Sequence, residues 1–177
     1  MKSENIREEI IKRYDNGNKK LFVKYRGEGV DEVIVERITY NENGDILILE
    51  KPLDKMKMVR EYFSNGQISS ETNHKDGEKD GKWILYYENG QIQKEENYID
   101  GKKDGKQIYY FRNGQINIEG NYKDGKLDGK WTHYYENGQI SSETNHKDGE
   151  KVGKWTTYNK DGSIKEVEEY KDGELVK

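Results

Sequence analysis

Glycine recurs along this chain with a fixed period of 24 residues, and that spacing restricts the fold more than any other feature. Gly66, Gly90, Gly114, Gly138 and Gly162 form one column, preceded by Asn65, Asn89, Asn113, Asn137 and finally Asp161. The pairs Asp76-Gly77, Asp100-Gly101, Asp124-Gly125, Asp148-Gly149 and Asp172-Gly173 form a second. Gly81, Gly105, Gly129 and Gly153 form a third, so the three columns take 14 of the 19 glycines. Residues 65–79 recur unchanged at 137–151. A period of this length marks stacked copies of one small supersecondary unit.

Composition decides what that unit is. There is no alanine and one proline, while 14 Tyr and 3 Trp accompany the glycines, a balance that favours strands over helices. Each period holds two strand-like runs, such as Lys82–Glu88 and Gln91–Tyr98, with Asn89-Gly90 between them as a type I′ hairpin turn. A two-residue turn there sets Glu88 opposite Gln91, Tyr87 opposite Ile92, Leu85 opposite Lys94, Ile84 opposite Glu95 and Trp83 opposite Glu96. The Asp-Gly-x-x-Asp-Gly stretch then reverses the chain into the next copy. At 31% hydrophobic and 37% charged residues a thick two-layer core is excluded. The expected fold is all-β: an elongated single-layer antiparallel sheet of tandem hairpins, in which each unit contacts mainly its neighbours.

Residues 65–177 read as five hairpin repeats, the last acting as a C-terminal cap, and 1–64 as an N-terminal cap. Ser3, with Ile6, Ile10 and Ile11 spaced for one face, predicts a short helix ending near Asp15-Asn16-Gly17. Strands follow over Leu21–Tyr25, Val33–Tyr40, Ile46–Glu50 and Lys57–Phe63. Asn43-Gly44 is a further hairpin turn, so this part is a degenerate version of the repeat.

Several function classes are disfavoured. Lys and Arg number 31 against 35 acidic residues, which leaves no cationic excess for nucleic acid. With no Cys there is no thiolate metal site or Cys nucleophile, and a reducing compartment fits. The start lacks the apolar run of a secretory signal, so a soluble, cytoplasmic protein is expected. His74 and His146 share the column of Tyr98, Tyr122 and Tyr170, and His133 that of Leu85, Tyr109 and Thr157. All three histidines read as structural rather than as ligands. The Asp-Gly loops are turns by backbone chemistry, too sparse in carboxylates for a calcium loop. Glu71, Glu95, Glu119 and Glu143 repeat with the period as a solvated column, which gives no pair of unlike carboxylates for acid–base work. No enzyme activity, cofactor or metal is expected.

The unit GKWILYYENGQIQKEENYIDGKKDG and its sister GKWTHYYENGQISSETNHKDG resemble the bacterial MORN-variant repeat of the YwqK-type antitoxin family, well over 58–177 and weakly over 14–57. The resemblance implies an all-β hairpin array that acts by binding, with neutralisation of a partner toxin as the inferred role. The eukaryotic MORN relatives are associated with membrane-surface scaffolding and phosphoinositides.

In a repeat array the constant residues build the unit, and a partner can be read by the positions that vary. Leu85, Tyr109, His133 and Thr157, with the facing Lys94, Ile118, Ser142 and Glu166, form the candidate recognition strip on the Trp face. The expected partner is a protein, in first place a cognate toxin. Two alternatives stand: a choline- or glucan-like surface-ligand repeat, which would use aromatic cages, and a MORN-type membrane scaffold. The second is opposed by basic residues that alternate with acids instead of clustering. Exposed terminal strands also allow an edge-to-edge homodimer.

Overall fold

A computed structural model describes residues 6–26, 33–52 and 55–176, and the fold is all-β with every strand pair antiparallel. The chain divides into two compact units, Met1–Lys79 and Asp80–Lys177. The first holds β1 (Ile6–Arg13), β2 (Lys19–Arg26), β3 (Val33–Tyr40), β4 (Ile46–Lys51), β5 (Met56–Tyr62), β6 (Ile68–Lys75) and β7 (Glu78–Lys79). The second begins with β8 (Gly81–Tyr86), β9 (Ile92–Ile99), β10 (Lys102–Lys103), β11 (Gly105–Tyr110), β12 (Ile116–Lys123) and β13 (Lys126–Tyr134). It continues with β14 (Ile140–Lys147), β15 (Glu150–Lys151), β16 (Gly153–Tyr158), β17 (Ile164–Lys171) and β18 (Glu174–Leu175).

Each unit is an open antiparallel sheet of hairpins. In the second, β8–β9, β11–β12, β13–β14 and β16–β17 are the hairpins, and β9–β11, β12–β13 and β14–β16 are the junctions between them. Apolar burial is sparse, as a single layer requires. Val23, Tyr98 and Trp131 are the buried hydrophobic residues among those described, beside buried Ser70, Glu96, Gln107, Thr132, Thr144 and Thr156. Ile46–Leu49, apolar at every position, lies between β3 and β5 and is half-buried.

Among the described residues the expected N-terminal helix is absent. Residues 6–13 form β1, which pairs with β2 from Ile6↔Arg26 to Arg13↔Lys19, while the expected cap Ser3 lies outside the described residues. The physical reason is the turn. Gly17 N–H donates to Tyr14 O and Tyr14 N–H to Asn18 O, and Gly17 has φ +86°, so Asp15-Asn16-Gly17 is a hairpin loop like the later ones and not a helix end. The Tyr14 hydroxyl donates to Tyr40 O (2.9 Å), the bond that Tyr87 makes to Tyr110 O and Tyr135 to Tyr158 O (2.7 Å each). Seven hairpins of one design are therefore present among the described residues, three in the first unit and four in the second.

The turn types are exchanged relative to expectation. At Asn89-Gly90 only glycine has positive φ (+81°); Gly90 N–H bonds Tyr87 O and Tyr87 N–H bonds Gln91 O, which is a three-residue loop of type I turn plus glycine bulge. Asn89 Oδ1 accepts the Gln91 N–H (3.1 Å), and that side-chain brace, not left-handed backbone, is why Asn stands there. The two-residue type I′ turns are the Asp-Gly pairs: Asp100 (φ +46°) and Gly101 (φ +77°) connect Ile99 to its partner Lys102. A second irregularity follows each Asn-Gly loop. Tyr86 pairs with Ile92 but Leu85 with Lys94, leaving Gln93 as a bulge. Loop and bulge offsets cancel, so Leu85↔Lys94, Ile84↔Glu95 and Trp83↔Glu96 stand in the expected register. Tyr87 does not face Ile92; the bulge moves the isoleucine column to the face of Tyr86.

The candidate interface on the tryptophan face

The two faces of the second unit differ in chemistry. On the Tyr86 face, each glutamate of the repeated column is gripped twice. Glu95 meets Lys82 of its own hairpin (2.5 Å) and the Tyr110 hydroxyl of the next (2.9 Å). Glu119 meets Lys106 (2.8 Å) and Tyr134 (2.7 Å), and Glu143 meets Lys130 and Tyr158. These carboxylates are half-buried links between hairpins, not the solvated column expected, because each hairpin supplies a donor to the next. Lys106, Glu119, Lys130, Tyr134, Ile140 and Glu143 line a groove of about 450 Å³ whose polar groups already serve one another.

The Trp face carries the candidate row. The expected residues are joined by successive cross-strand pairs: Leu85↔Lys94, Lys94↔Tyr109, Tyr109↔Ile118, Ile118↔His133, His133↔Ser142, Ser142↔Thr157 and Thr157↔Glu166. All eight thus lie in one unbroken row across β8, β9, β11, β12, β13, β14, β16 and β17. At about 4.8 Å per strand it runs on the order of 34 Å. Seven members are half-buried and Glu166 is exposed. His133 Nδ1 and Thr157 Oγ1 are buried without a hydrogen-bond partner, and burial lowers the His133 pKa below the ordinary imidazole value.

The row rests on an aromatic frame that Gln107 interrupts once. The Trp131 indole N–H donates to Asn121 O (3.2 Å) and that of Trp155 to Asn145 O (3.1 Å), tying each hairpin to the one before. Tyr122 stacks edge-on to Trp131 at 5.4 Å, and His146 takes the corresponding place beside Trp155 at 5.2 Å. The column reading of His146 as a ring in a ring position is therefore what the packing displays. Burial, with Lys151 second, lowers its pKa.

One cluster on this face escaped the sequence reading. Glu96 is 4% exposed and accepts from Gln107 Nε2 (3.0 Å) and the Tyr98 hydroxyl (3.2 Å). Lys94 Nζ (2.8 Å) and Lys103 Nζ (2.7 Å) flank the same carboxylate. Burial alone would raise the Glu96 pKa; the hydrogen bonds from Lys103 and Lys94 outweigh it and hold the carboxyl below its ordinary value. The signal is present in the columns: Gln107 interrupts the tryptophans, and Glu96 stands in a column that holds Thr72, Gly120, Thr144 and Glu168.

The Asp-Gly loops use their carboxylates internally. Asp80 accepts the Asp100 N–H (3.4 Å) and Asp104 the Asp124 N–H (3.1 Å), so in these two stretches the second Asp braces the next turn. Among the described residues no three His, Asp or Glu side chains converge as a metal site, and no helix is long and apolar enough to cross a membrane.

The MORN repeat variant matches residues 58–76, 79–100, 103–124, 127–148 and 151–172, more than half of the chain. The chain belongs to the MORN repeat variant family. The matched MORN segments that begin at 79, 103 and 151 start in the short strand before an aromatic strand, the one at 127 starts at the head of β13, and all four end at the next Asp-Gly turn. The first hairpin, at Gly17, and the second, at Gly44, lie outside the matches although they share the turn and bulge. MORN repeats are modules often found in protein- and surface-binding roles. No curated protein matches the chain.

Proposed function

We propose that this MORN protein is a non-enzymatic, cytoplasmic binding module that holds a partner protein against its Trp face, and that the partner is a toxin which it neutralises. The observation that carries the reading is the row itself. Positions free to vary between otherwise near-identical hairpins come together as one continuous line, with Tyr109 and Ile118 adjacent at its centre. Repeated residues on either side hold the backbone, and of the row Lys94 and Tyr109 also touch the buried Glu96 and Gln107. An aromatic beside an aliphatic on a rigid sheet is the kind of anchor that dominates protein interfaces.

The test pairs genetics with mutation. A neighbouring gene is expressed alone and together with this chain; growth arrest in the first case and growth in the second is the expected result. Tyr109→Ala with Ile118→Ala should then abolish protection while the circular dichroism of the chain is unchanged. Protection that survives the double substitution removes the row from the interface. A neighbour that is harmless alone removes the antitoxin role.

A further inference from the structure

We propose that a groove at the Asn-Gly loops of the second unit, between Phe111 and Glu136, takes the guanidinium of an arginine side chain carried by a partner protein. None of the residues that form the groove belongs to the Trp-face row, so the site stands or falls apart from it.

The aromatic residue that opens each of these loops lies beside the loop of the next hairpin. In two of three cases its face meets a cation there. Arg112 Cζ stands 5.4 Å from the centre of the Tyr87 ring, and Lys160 Nζ stands 6.0 Å from that of Tyr135. Phe111 is the third loop aromatic, and the residue 24 after Arg112 and 24 before Lys160 is Glu136. A cation is drawn to the electron-rich face of a ring, and a carboxylate is not. Among the described residues no cation lies over Phe111, and Glu136 makes no ion pair.

The first unit holds the same arrangement with its cation in place. Glu42, which follows the loop-opening Asn41, lines a groove of about 440 Å³ together with Tyr14, and Lys20 Nζ stands 4.9 Å from the centre of the Tyr14 ring. Lys20 comes three residues after Gly17. The residue three after Gly114 is the uncharged Asn117, so the chain brings no such cation to Phe111.

The groove at Phe111 measures about 410 Å³ and is lined by Phe111, Tyr134, Tyr135, Glu136, Asn137 and Lys160. Tyr134 gives its hydroxyl to Glu119 (2.7 Å), Asn137 Nδ2 donates to Gln139 Oε1 (2.9 Å), and Lys160 covers Tyr135. The Glu136 carboxylate remains to receive a ligand. The hydroxyls of Tyr87 and Tyr135 also cap the carbonyls of Tyr110 and Tyr158, whereas Phe111 has no hydroxyl to offer Tyr134 O. A ring face, a carboxylate and a carbonyl thus share one groove. A planar guanidinium can stack on the ring and donate from its edge to the oxygens. A quaternary ammonium has no N–H to give them.

The test is a nuclear magnetic resonance titration of the nitrogen-labelled full chain with N-acetyl-arginine amide, at about 0.15 M salt so that weak long-range attraction is screened. Amide signals of Phe111 and of Tyr134–Asn137 should move and saturate with a dissociation constant of roughly 1–20 mM, the range of a single small contact. Glu136→Arg supplies the cation internally, as Arg112 does for Tyr87, and should weaken binding at least about tenfold. Glu136→Gln, which keeps the shape and removes the charge, should weaken it severalfold. Arg112→Glu should create a second saturable site beside Tyr87. Tetramethylammonium at the same concentrations should bind less tightly than the arginine probe. A wild-type chain with no saturable shift at these amides overturns the proposal, and so does undiminished binding by Glu136→Arg. An Arg112→Glu chain with no new site overturns it as well, and tetramethylammonium that binds as tightly as the arginine probe makes the occupant a quaternary amine instead. The amide spectrum of each variant shows whether the hairpins are intact.

Discussion

The indole of Trp131 rests on Gly120: a Cβ built at that glycine would lie 2.2 Å from Trp131 Cδ2. Gly120 also pairs with Gln107, so the glycine lies between hairpins, where the backbone must yield to a ring. Gly120→Ala should therefore lift the indole and lose its bond to Asn121 O, destabilising the unit by about 1–3 kcal/mol, as overpacking commonly does. Thr144→Ala, at the corresponding position before Trp155, should cost less, because a Cβ is already accommodated there. Urea midpoints for the two variants provide the comparison.

Gln107 and Glu96 should behave as one exchangeable part. Glu96→Thr alone removes the acceptor of Gln107 Nε2 and the counter-charge of Lys94 and Lys103. Gln107→Trp alone presses a ring onto the carboxylate and removes its donor. Together they recreate the Trp155–Thr144 arrangement of the later junction. The double variant should then be more stable than the sum of the single losses predicts, by a coupling of about 0.5–3 kcal/mol. Strict additivity in denaturant unfolding would show that the two side chains act independently.

The repeat, the strand positions and the mid-strand register were legible in the sequence because they follow from period and composition. Trp83↔Glu96 and Ile84↔Glu95 came out correctly even though the assumed turn was wrong. A loop one residue longer and a bulge at Gln93 compensate, and neither leaves a residue-type signal, since the bulge position holds Leu47, Ser69, Gln93, Asn117, Ser141 or Lys165. The β1 strand was misread because Ile6, Ile10 and Ile11 fit a helical face equally well over so short a stretch. Asn16-Gly17 was the discriminating signal, and with Tyr14 before it the hairpin was readable. The row of eight was legible since column variation is a sequence property. The buried Glu96 leaves little signal, because its column also holds Thr72, Gly120, Thr144 and Glu168, and only the packing of Gln107 in place of a tryptophan buries it.

The exchange of turn types makes a direct prediction. Asn89 has ordinary backbone, so Asn89→Ala should add no backbone strain and lose its brace to the Gln91 N–H and its Nδ2 bond to Arg112 O (3.1 Å), about 0.5–1.5 kcal/mol each. Asp100 sits at φ +46°, and Asp100→Ala should add the left-handed strain of about 1–2 kcal/mol, while Asp100→Gly should relieve it. Thermal midpoints of the three variants check this. Asn89→Gly should not stabilise the chain as Asp100→Gly does; equal gains would mean that both loops need two left-handed residues.

The Tyr–Glu–Lys links should give stability a window in pH that closes at both ends. Glu119 and Glu143 are held below the carboxylate value of 4.5, first by hydrogen bonds from Lys106 and Lys130; Glu95 is held low against its own burial by Lys82 and Tyr110. A depressed folded pKa contributes stability above the unfolded value, which is lost as pH falls through the folded one, so the links should weaken below about pH 4.5. The tyrosines act in the opposite sense. Tyr110, by burial and then Glu95, and Tyr134, first by its bond to Glu119, are pushed up from 10.0 to about 12. A raised folded pKa contributes stability that is complete below the unfolded value, so between pH 10 and about 12 the wild-type chain should lose stability as these hydroxyls ionise. Tyr110→Phe with Tyr134→Phe should lower stability below that range and abolish the part of the alkaline loss that the two hydroxyls cause. Tyrosinate absorbance should show a smaller late-titrating component in the double variant than in the wild type, the remainder belonging to Tyr40, Tyr62, Tyr98 and Tyr158, which are also raised. A late component of unchanged size would place it wholly on those other tyrosines and remove these two hydrogen bonds from the account.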